Sequence, residues 1–492
     1  MFKKILVANR GEIAVRVMRA ARELGVKNVA VYSDADRGAF FKLYADEAYH
    51  IGEGPASKSY LVIDRIIDAA LKSGAEAIHP GYGFLAENPA FARACEEAGL
   101  VFIGPSPEAI EKMGDKIAAK RIMKEAGVPV VPGSDGEVRS ESEAVKVAGE
   151  IGYPVLIKAS AGGGGIGMKV ARNDEELGDF FESSRSIAES AFGNPSILIE
   201  KYLEKPRHVE VQLLGDEEGL IHLYERECSI QRRYQKVIEE APSPVVTPEL
   251  RERLTAAALR AGEAIDYTNA GTVEFVYSLG DFYFIEMNTR LQVEHPVTEM
   301  ITGVDIVREQ IRIAAGEGLS HRQEDIVPRG WSIECRINAE DPLNDFRPGT
   351  GRIRNYRSPG GPGVRVDSGI HMGYTIPHFY DSLVAKLIVW DMTREKAVER
   401  MKRALYDYII TGITTNIPLH MAVITSEAFR KGELSTNFIE ENNILEEMKK
   451  MVEYEEFHLL GLSEIFRARK KTAAIAGAVN SYIEMHKKDR EV

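Results

Sequence analysis

Short apolar runs and amphipathic stretches take turns along the first hundred residues of the chain. Their periods predict strands over Lys4 to Ala8, Asn28 to Tyr32, Ala77 to Ile78 and Val101 to Ile103, and helices over Glu12 to Leu24 and Tyr60 to Lys72. Strand and helix alternating in this way build a parallel sheet with helices packed on it, so the chain is expected to open with an α/β domain. Its turn Asn9-Arg10-Gly11-Glu12 lacks the Gly-x-Gly-x-x-Gly fingerprint of dinucleotide sites and reads as scaffold. Two prolines and two glycines in Gly127-Val128-Pro129-Val130-Val131-Pro132-Gly133 place a boundary near there. The pattern then divides into a small unit over 131–203, a larger α+β region over 204–446 and a tail over 447–492. In the tail Leu462, Ile465, Phe466, Ala473, Ala476, Val479 and Ile483 mostly follow three- and four-residue steps, interrupted by Arg469, which predicts an amphipathic helix.

The chemistry concentrates where strand-like alternation resumes. Gly271 to Tyr277 and Phe282 to Met287 read as strands, and a short loop around Leu279-Gly280-Asp281 folds them into a hairpin that sets Glu274 opposite Glu286. Two carboxylates on one face repel unless a cation sits between them. Mg²⁺ suits the place, being hard, oxygen-seeking and usually shared with substrate phosphates. The side-chain period of two puts Asn288 and Arg290 on the same face, and the run continues through Gln292, Val293 and Glu294 to Pro296.

A second constellation lies in the small unit. Val155 to Lys158 reads as a strand ending in a cation, and Gly162-Gly163-Gly164-Gly165-Ile166-Gly167 follows it. Without Cβ atoms, the amides of such a loop can approach phosphate oxygens closely, with Lys158 adding charge. No Lys-Ser/Thr follows, so it is not a Walker loop. Ser196 to Leu203, with Glu200 and Lys201, reads as a strand running into the connection between the two units, a usual place for a ligand cleft where a base can bond to backbone groups. Lys236 lies in a mixed-charge run and Arg336 in strand-like alternation. From the residues alone, each also fits a solvated or ion-paired charge.

Composition narrows the classes. The 492 residues are 44% hydrophobic and 28% charged, as in ordinary globular proteins, and carry a formal net charge of −13, which argues against nucleic-acid binding. No apolar run approaches the roughly 18 residues of a membrane span, and the start of the chain reads as a first strand rather than a signal peptide. Cys95, Cys228 and Cys335 have no metal-ligand spacing and no disulfide pattern, which fits a reducing cytoplasm.

Together these segments resemble the ATP-grasp superfamily, and within it biotin carboxylase. The resemblance spans residues 1 to about 445. It also rests on His79-Pro80-Gly81-Tyr82-Gly83-Phe84-Leu85, Gly114-Asp115-Lys116, Pro206-Arg207-His208-Val209-Glu210, the run ending at Lys236 and Glu334-Cys335-Arg336-Ile337-Asn338. It implies an ATP-grasp fold: an N-terminal parallel-sheet α/β domain, a mobile lid carrying the glycine loop, and a larger C-terminal α+β domain, in a homodimer. Carried over by similarity, Lys116, Lys158, Gly163, Gly164, Glu200, Lys201, Leu203, His208 and Gln231 would hold ATP. Glu274, Glu286 and Asn288 would hold Mg²⁺ or Mn²⁺. Lys236, Arg290, Gln292 and Val293 would hold bicarbonate, with Glu294 as general base. Arg336 would stabilise the biotin enolate and Tyr82 would line the biotin pocket.

The chain departs from the family's pattern at Ile166, where Arg is frequent, and at Tyr234, where some members have His. Nucleotide contacts from those two side chains are not carried over. Glu447-Met448-Lys449-Lys450-Met451 only faintly matches a biotinyl Met-Lys-Met, so biotin is expected on a separate carrier, with a separate carboxyltransferase serving pyruvate or an acyl-CoA. The competing readings are an ATP-grasp ligase with a non-biotin acceptor and a non-catalytic nucleotide-binding scaffold.

Overall fold

The computed structural model describes residues 1–159, 168–192, 195–278 and 280–453. The glycine loop with Gly163, Gly164 and Ile166, and the predicted tail stripe from Leu462 onward, lie outside the described residues.

The first hundred residues form an all-parallel five-stranded sheet in the order Glu47–Gly52, Lys27–Ser33, Lys4–Val7, Ala77–His79, Val101–Phe102. The apolar runs had marked every strand except Glu47–Gly52. That strand is an edge whose exposed positions carry Ala48 and His50, so it shows no continuous apolar signal. Two helices sit on the sheet much as the periodicity predicts, at Gly11–Glu23 and Ile63–Ser73. A third, Pro89–Glu97, begins where the Asn88 side chain accepts from the Phe91 amide and Pro occupies the first turn.

Val155–Ala159 pairs antiparallel with Lys169–Ala171 on one side and Ile197–Lys201 on the other. Alternation decides what each face does. Val155, Ile157, Ile197 and Ile199 are buried against helices Glu141–Ile151 and Asp174–Phe192, whereas Leu156, Lys158, Leu198 and Glu200 turn the other way, into a large cavity.

The floor of that cavity is an antiparallel eight-stranded sheet. Its order is Asp281–Asn288, Asn269–Ser278, Arg207–Gly215, Leu220–Arg232, Gln235–Ala241, Trp331–Asn338, Leu383–Asp391, Val364–Ser368. The expected hairpin is present, with Glu274 paired to Glu286. Residues 444–453 are helical, and Ile444 and Met448 are buried in the main core. The helix therefore runs across the boundary expected at 446/447, and the faint biotinyl motif lies within it.

Candidate active site

Register builds the centre of the site. Glu286 pairs with Glu274, Glu274 with Glu210, and Glu210 with Arg226, so three carboxylates and a guanidinium stand in one row across four neighbouring strands. Directly paired residues share a face, and unrelieved like charges at that spacing are destabilising. Two cations relieve the row. At its end Arg226, with no solvent exposure, donates to Glu210, to Gln212 and Thr298, and to Thr272 and Gln292. The Lys236 ammonium reaches Glu210 at 2.6 Å, Glu274 at 2.9 Å and Glu294 at 2.7 Å. His208 Nε2 lies 2.7 Å from Glu274.

These cations set the protonation states. Burial pushes the Glu274 and Glu210 carboxyls up, but Lys236 outweighs it, aided by His208 at Glu274 and by Arg226 at Glu210, and both lie well below the usual carboxylate range. Burial would neutralise His208; the charge of Glu274 together with hydrogen bonds to Glu210 and Glu274 outweighs it and raises the imidazole to about 9, so it is charged at neutral pH. Glu286 behaves differently. Burial, then the neighbouring Glu274, push its carboxyl up despite Lys116.

Glu294 precedes helix His295–Thr302, yet it makes no side-chain cap there. Its carboxylate is instead clamped between Lys236 and the Arg336 Nη2, the latter at 2.9 Å. Burial raises it, and Lys236 and Arg336 bring it down to about 2, so it is ionised at any working pH. Arg290 is fixed through Nε to Glu87 at 2.8 Å and through Nη2 to Asn288 at 2.6 Å, while Asn288 and Gln292 both donate to Glu274. The Val293 carbonyl accepts from the fully buried Lys386 at 2.9 Å, and Lys386 in turn lies 3.3 Å from Glu12, to which Tyr82 donates.

Across the cavity Lys158 and Lys120 grip Glu200 at 2.6 and 3.1 Å. The cavity encloses about 1900 Å³ and is lined by all the described residues singled out from the sequence, Tyr82, Lys116, Leu203 and Gln231 included. Such a space takes a nucleotide together with smaller co-substrates.

The matches to known proteins fall on these same parts. The model of the biotin carboxylase N-terminal domain matches residues 1–110. That of the carbamoyl-phosphate synthase L chain ATP-binding domain matches 115–322, and that of the biotin carboxylase C-terminal domain 334–441. A pyruvate carboxylase subunit from Methanothermobacter thermautotrophicus is 61% identical over 486 residues, 98% of this chain and 99% of its own. The chain belongs to the biotin carboxylase family. Biotin carboxylase 1 of Bacillus subtilis is 54% identical over 448 residues, 90% of this chain and 100% of its own. The biotin carboxylase domain dimer of Hydrogenobacter thermophilus 2-oxoglutarate carboxylase, crystallised with MgADP, ADP and bicarbonate, superposes at a TM-score of 0.85. It has 56% identity and covers 90% of this chain and 98% of that one.

As a biotin carboxylase the protein is an ATP-dependent ligase of the ATP-grasp fold, and the geometry sharpens the sequence reading in several places. Lys201 lines the cavity, but its ammonium is held by the carbonyls of Gly152 and Tyr153 at 3.0 and 2.9 Å. Sequence reasoning did not single out Arg226, Glu87 or Lys386, and it treated Glu210 only as part of a motif. One signal for Glu210 was available: His208, Glu210 and Gln212 alternate with Val209, Val211 and Leu213, a polar face on an otherwise apolar strand. The three cysteines are free and buried. Among the described residues no helix is long and apolar enough to cross a membrane.

Proposed function

We propose that this chain activates bicarbonate with ATP and carboxylates biotin borne on a separate carrier, as the ATP-using component of a pyruvate carboxylase. The observation that carries the reading is Glu294, a buried carboxylate held between Arg336 and Lys236, the same lysine that bridges Glu274 and Glu210 of the row. Lys116, Lys158, Glu200, Leu203, His208 and Gln231 are assigned to the nucleotide. Glu274, Glu286 and Asn288 fit a hard divalent cation, Mg²⁺ or Mn²⁺: all offer oxygen, and the upward push of Glu274 on the Glu286 carboxyl is what a cation there would relieve. When bound, that ion would neutralise charge on the phosphates.

Lys236, Arg290, Gln292 and the peptide of Val293 are assigned to bicarbonate. Glu294 accepts its proton, and the resulting dianion attacks the γ-phosphorus with ADP leaving, while the lysines balance the charge that develops. The carboxyphosphate so formed divides into CO₂ and phosphate in the closed site. Phosphate then takes the proton from the biotin ureido nitrogen, which adds to CO₂. Arg336 faces the ureido oxyanion, a task suited to a permanently charged, forked donor, and Tyr82 lines the place of the ring.

The deciding experiment measures ADP formation with Mg²⁺ and bicarbonate, with and without free biotin. Stimulation by biotin is expected. Bicarbonate-dependent cleavage that stays flat at high biotin would assign the site to another acceptor, such as an amine, and no cleavage at all would leave a scaffold.

The choice of pyruvate rests on the tail. The 486-residue alignment with the Methanothermobacter protein leaves few residues for anything outside it, whereas the 448-residue alignment already exhausts the Bacillus chain. We assign residues 454–492 to docking the carboxyltransferase-bearing partner, with the protein a cytoplasmic homodimer. Because Ile444 and Met448 belong to the core, the informative truncation is after Glu453. It is expected to keep biotin-stimulated ATP cleavage and to lose co-purification with the partner; a truncated chain that still assembles refutes the docking role.

A further inference from the structure

Arg336 is gripped from two sides. Its Nη2 donates to Glu294, which lines the cavity, and its Nε donates at 2.6 Å to Glu239, which is fully buried on the neighbouring strand Gln235–Ala241 behind the cavity wall. The Arg336 carbonyl is tied down as well, accepting from Asn416 Nδ2 at 2.9 Å and facing His420 Nε2 at 2.7 Å. Glu334, the register partner of Glu239, has no solvent exposure, and neither of its carboxyl oxygens has a hydrogen-bond partner among the described residues. Burial drives its carboxyl far up, so it is neutral and leaves the guanidinium to Glu239 and Glu294.

This arrangement bears on a conflict in the proposed reaction, on whose roles for Glu294 and Arg336 the inference rests. Arg336 has N–H donors beyond the Nε and Nη2 contacts, but while Glu294 is ionised the guanidinium is drawn to that carboxylate rather than to the ureido oxyanion. We propose that Glu239 is a positioning residue that anchors Arg336 through Nε, so that when Glu294 takes the bicarbonate proton, Nη2 is released and turns about that anchor to the biotin oxyanion. The proton moves from the bicarbonate O–H to a Glu294 oxygen, which becomes a neutral acid. That transfer removes the attraction between two opposite charges and leaves the guanidinium facing a neutral acid, which is what loosens Nη2. The Nε bond to ionised Glu239 is untouched. The first half-reaction thereby frees the charge that the second requires.

The anchor needs the carboxylate form of Glu239. Around it stand Arg336, Glu334 and Cys335 on strand Trp331–Asn338, Glu294 ahead of helix His295–Thr302, Lys236 on its own strand and Cys228 on strand Leu220–Arg232. Burial raises its carboxyl, Arg336 and Lys236 oppose, Glu294 adds to the rise, and the balance falls at about 7. The anchor is therefore lost as pH falls through about 7, and with it the transfer to biotin.

The test is Glu239→Gln in the full chain, with ADP and carboxybiotin measured on free biotin, kcat and KM separated, across the pH range around neutrality. The ratio of carboxybiotin to ADP is expected to drop roughly ten-fold, carried by kcat, as loss of one charged hydrogen bond implies. The acid limb near pH 7 in carboxylation should vanish. If both activities fall by one common factor, or the limb persists in the variant, the anchoring role is wrong. Should Glu239→Gln fail to fold, Glu239→Asp, which retracts the carboxylate, is expected to lower the same ratio while keeping the limb; a wild-type ratio there overturns the proposal equally. An inactive wild type would instead sink the functional reading.

Discussion

Lys236→Met is expected to abolish bicarbonate-dependent ATP cleavage, with a loss of roughly 10³-fold or more, and to destabilise the fold by about 3–5 kcal/mol at neutral pH. Both effects come from one ammonium. Lys236 lies within 3 Å of carboxylate oxygens on Glu210, Glu274 and Glu294, and it is the chief influence opposing burial at each. Methionine keeps the length of the stem but leaves the cluster short of one positive charge in a buried place. Removing a single partner of such a group strands the others, which is far costlier than never having built it.

The pH dependence gives the sign. In the wild type the Glu294 carboxyl is depressed to about 2 from the usual 4.5, so its contribution to stability is complete above 4.5 and is lost as pH falls toward 2. In the variant, burial acts on carboxyls that have lost their main counter-charge and their proton affinity rises. The stability deficit should then shrink as pH is lowered from neutrality and the carboxyls take up protons. Denaturant unfolding of both proteins over a pH series measures this. A deficit that does not change with pH would mean that the ammonium acts through packing alone.

Glu294→Gln is expected to lower biotin carboxylation by roughly 10²-fold or more while ATP still binds. The side chain keeps its size, and the residues assigned to the nucleotide stand on other elements. What disappears is the group that can accept a proton. A carboxylate held at about 2 looks a poor base, but that figure belongs to the arrangement in which it has Lys236 and Arg336 to itself. Bicarbonate placed against Lys236 and Arg290 would draw on the same cations and bring a further negative charge, and both raise the proton affinity of Glu294. Nucleotide affinity by calorimetry, set beside turnover, separates the two effects; near-normal turnover would remove Glu294 from the role.

The parts of this site that could be read from the sequence are those whose geometry is local. The Glu274–Glu286 pairing follows from two strand periods and the short loop between them. The outward face of Lys158 and Glu200 follows from alternation beside Val155, Ile157, Ile197 and Ile199. What could not be read depends on pairings distant in the chain. Gln235–Ala241 lies beside Trp331–Asn338 across some ninety residues of sequence, and only that neighbourhood brings Glu239 to Arg336. Arg226 offered one charge in a stretch of mixed polarity. Its role exists because strand Arg207–Gly215 separates it from Glu274 and sets Glu210 directly opposite. Glu87 likewise gains meaning only when the loop that carries it reaches Arg290.

The row of carboxylates also makes catalytic competence an all-or-none property of strand alignment. A slip of one position along Arg207–Gly215 would turn His208, Glu210 and Gln212 away from the charged row and put Val209, Val211 and Leu213 in their place. Arg226 and Lys236 would then face aliphatic groups. Misaligned chains would therefore be both inert and electrostatically frustrated, and turnover in a refolded preparation would count correctly threaded molecules.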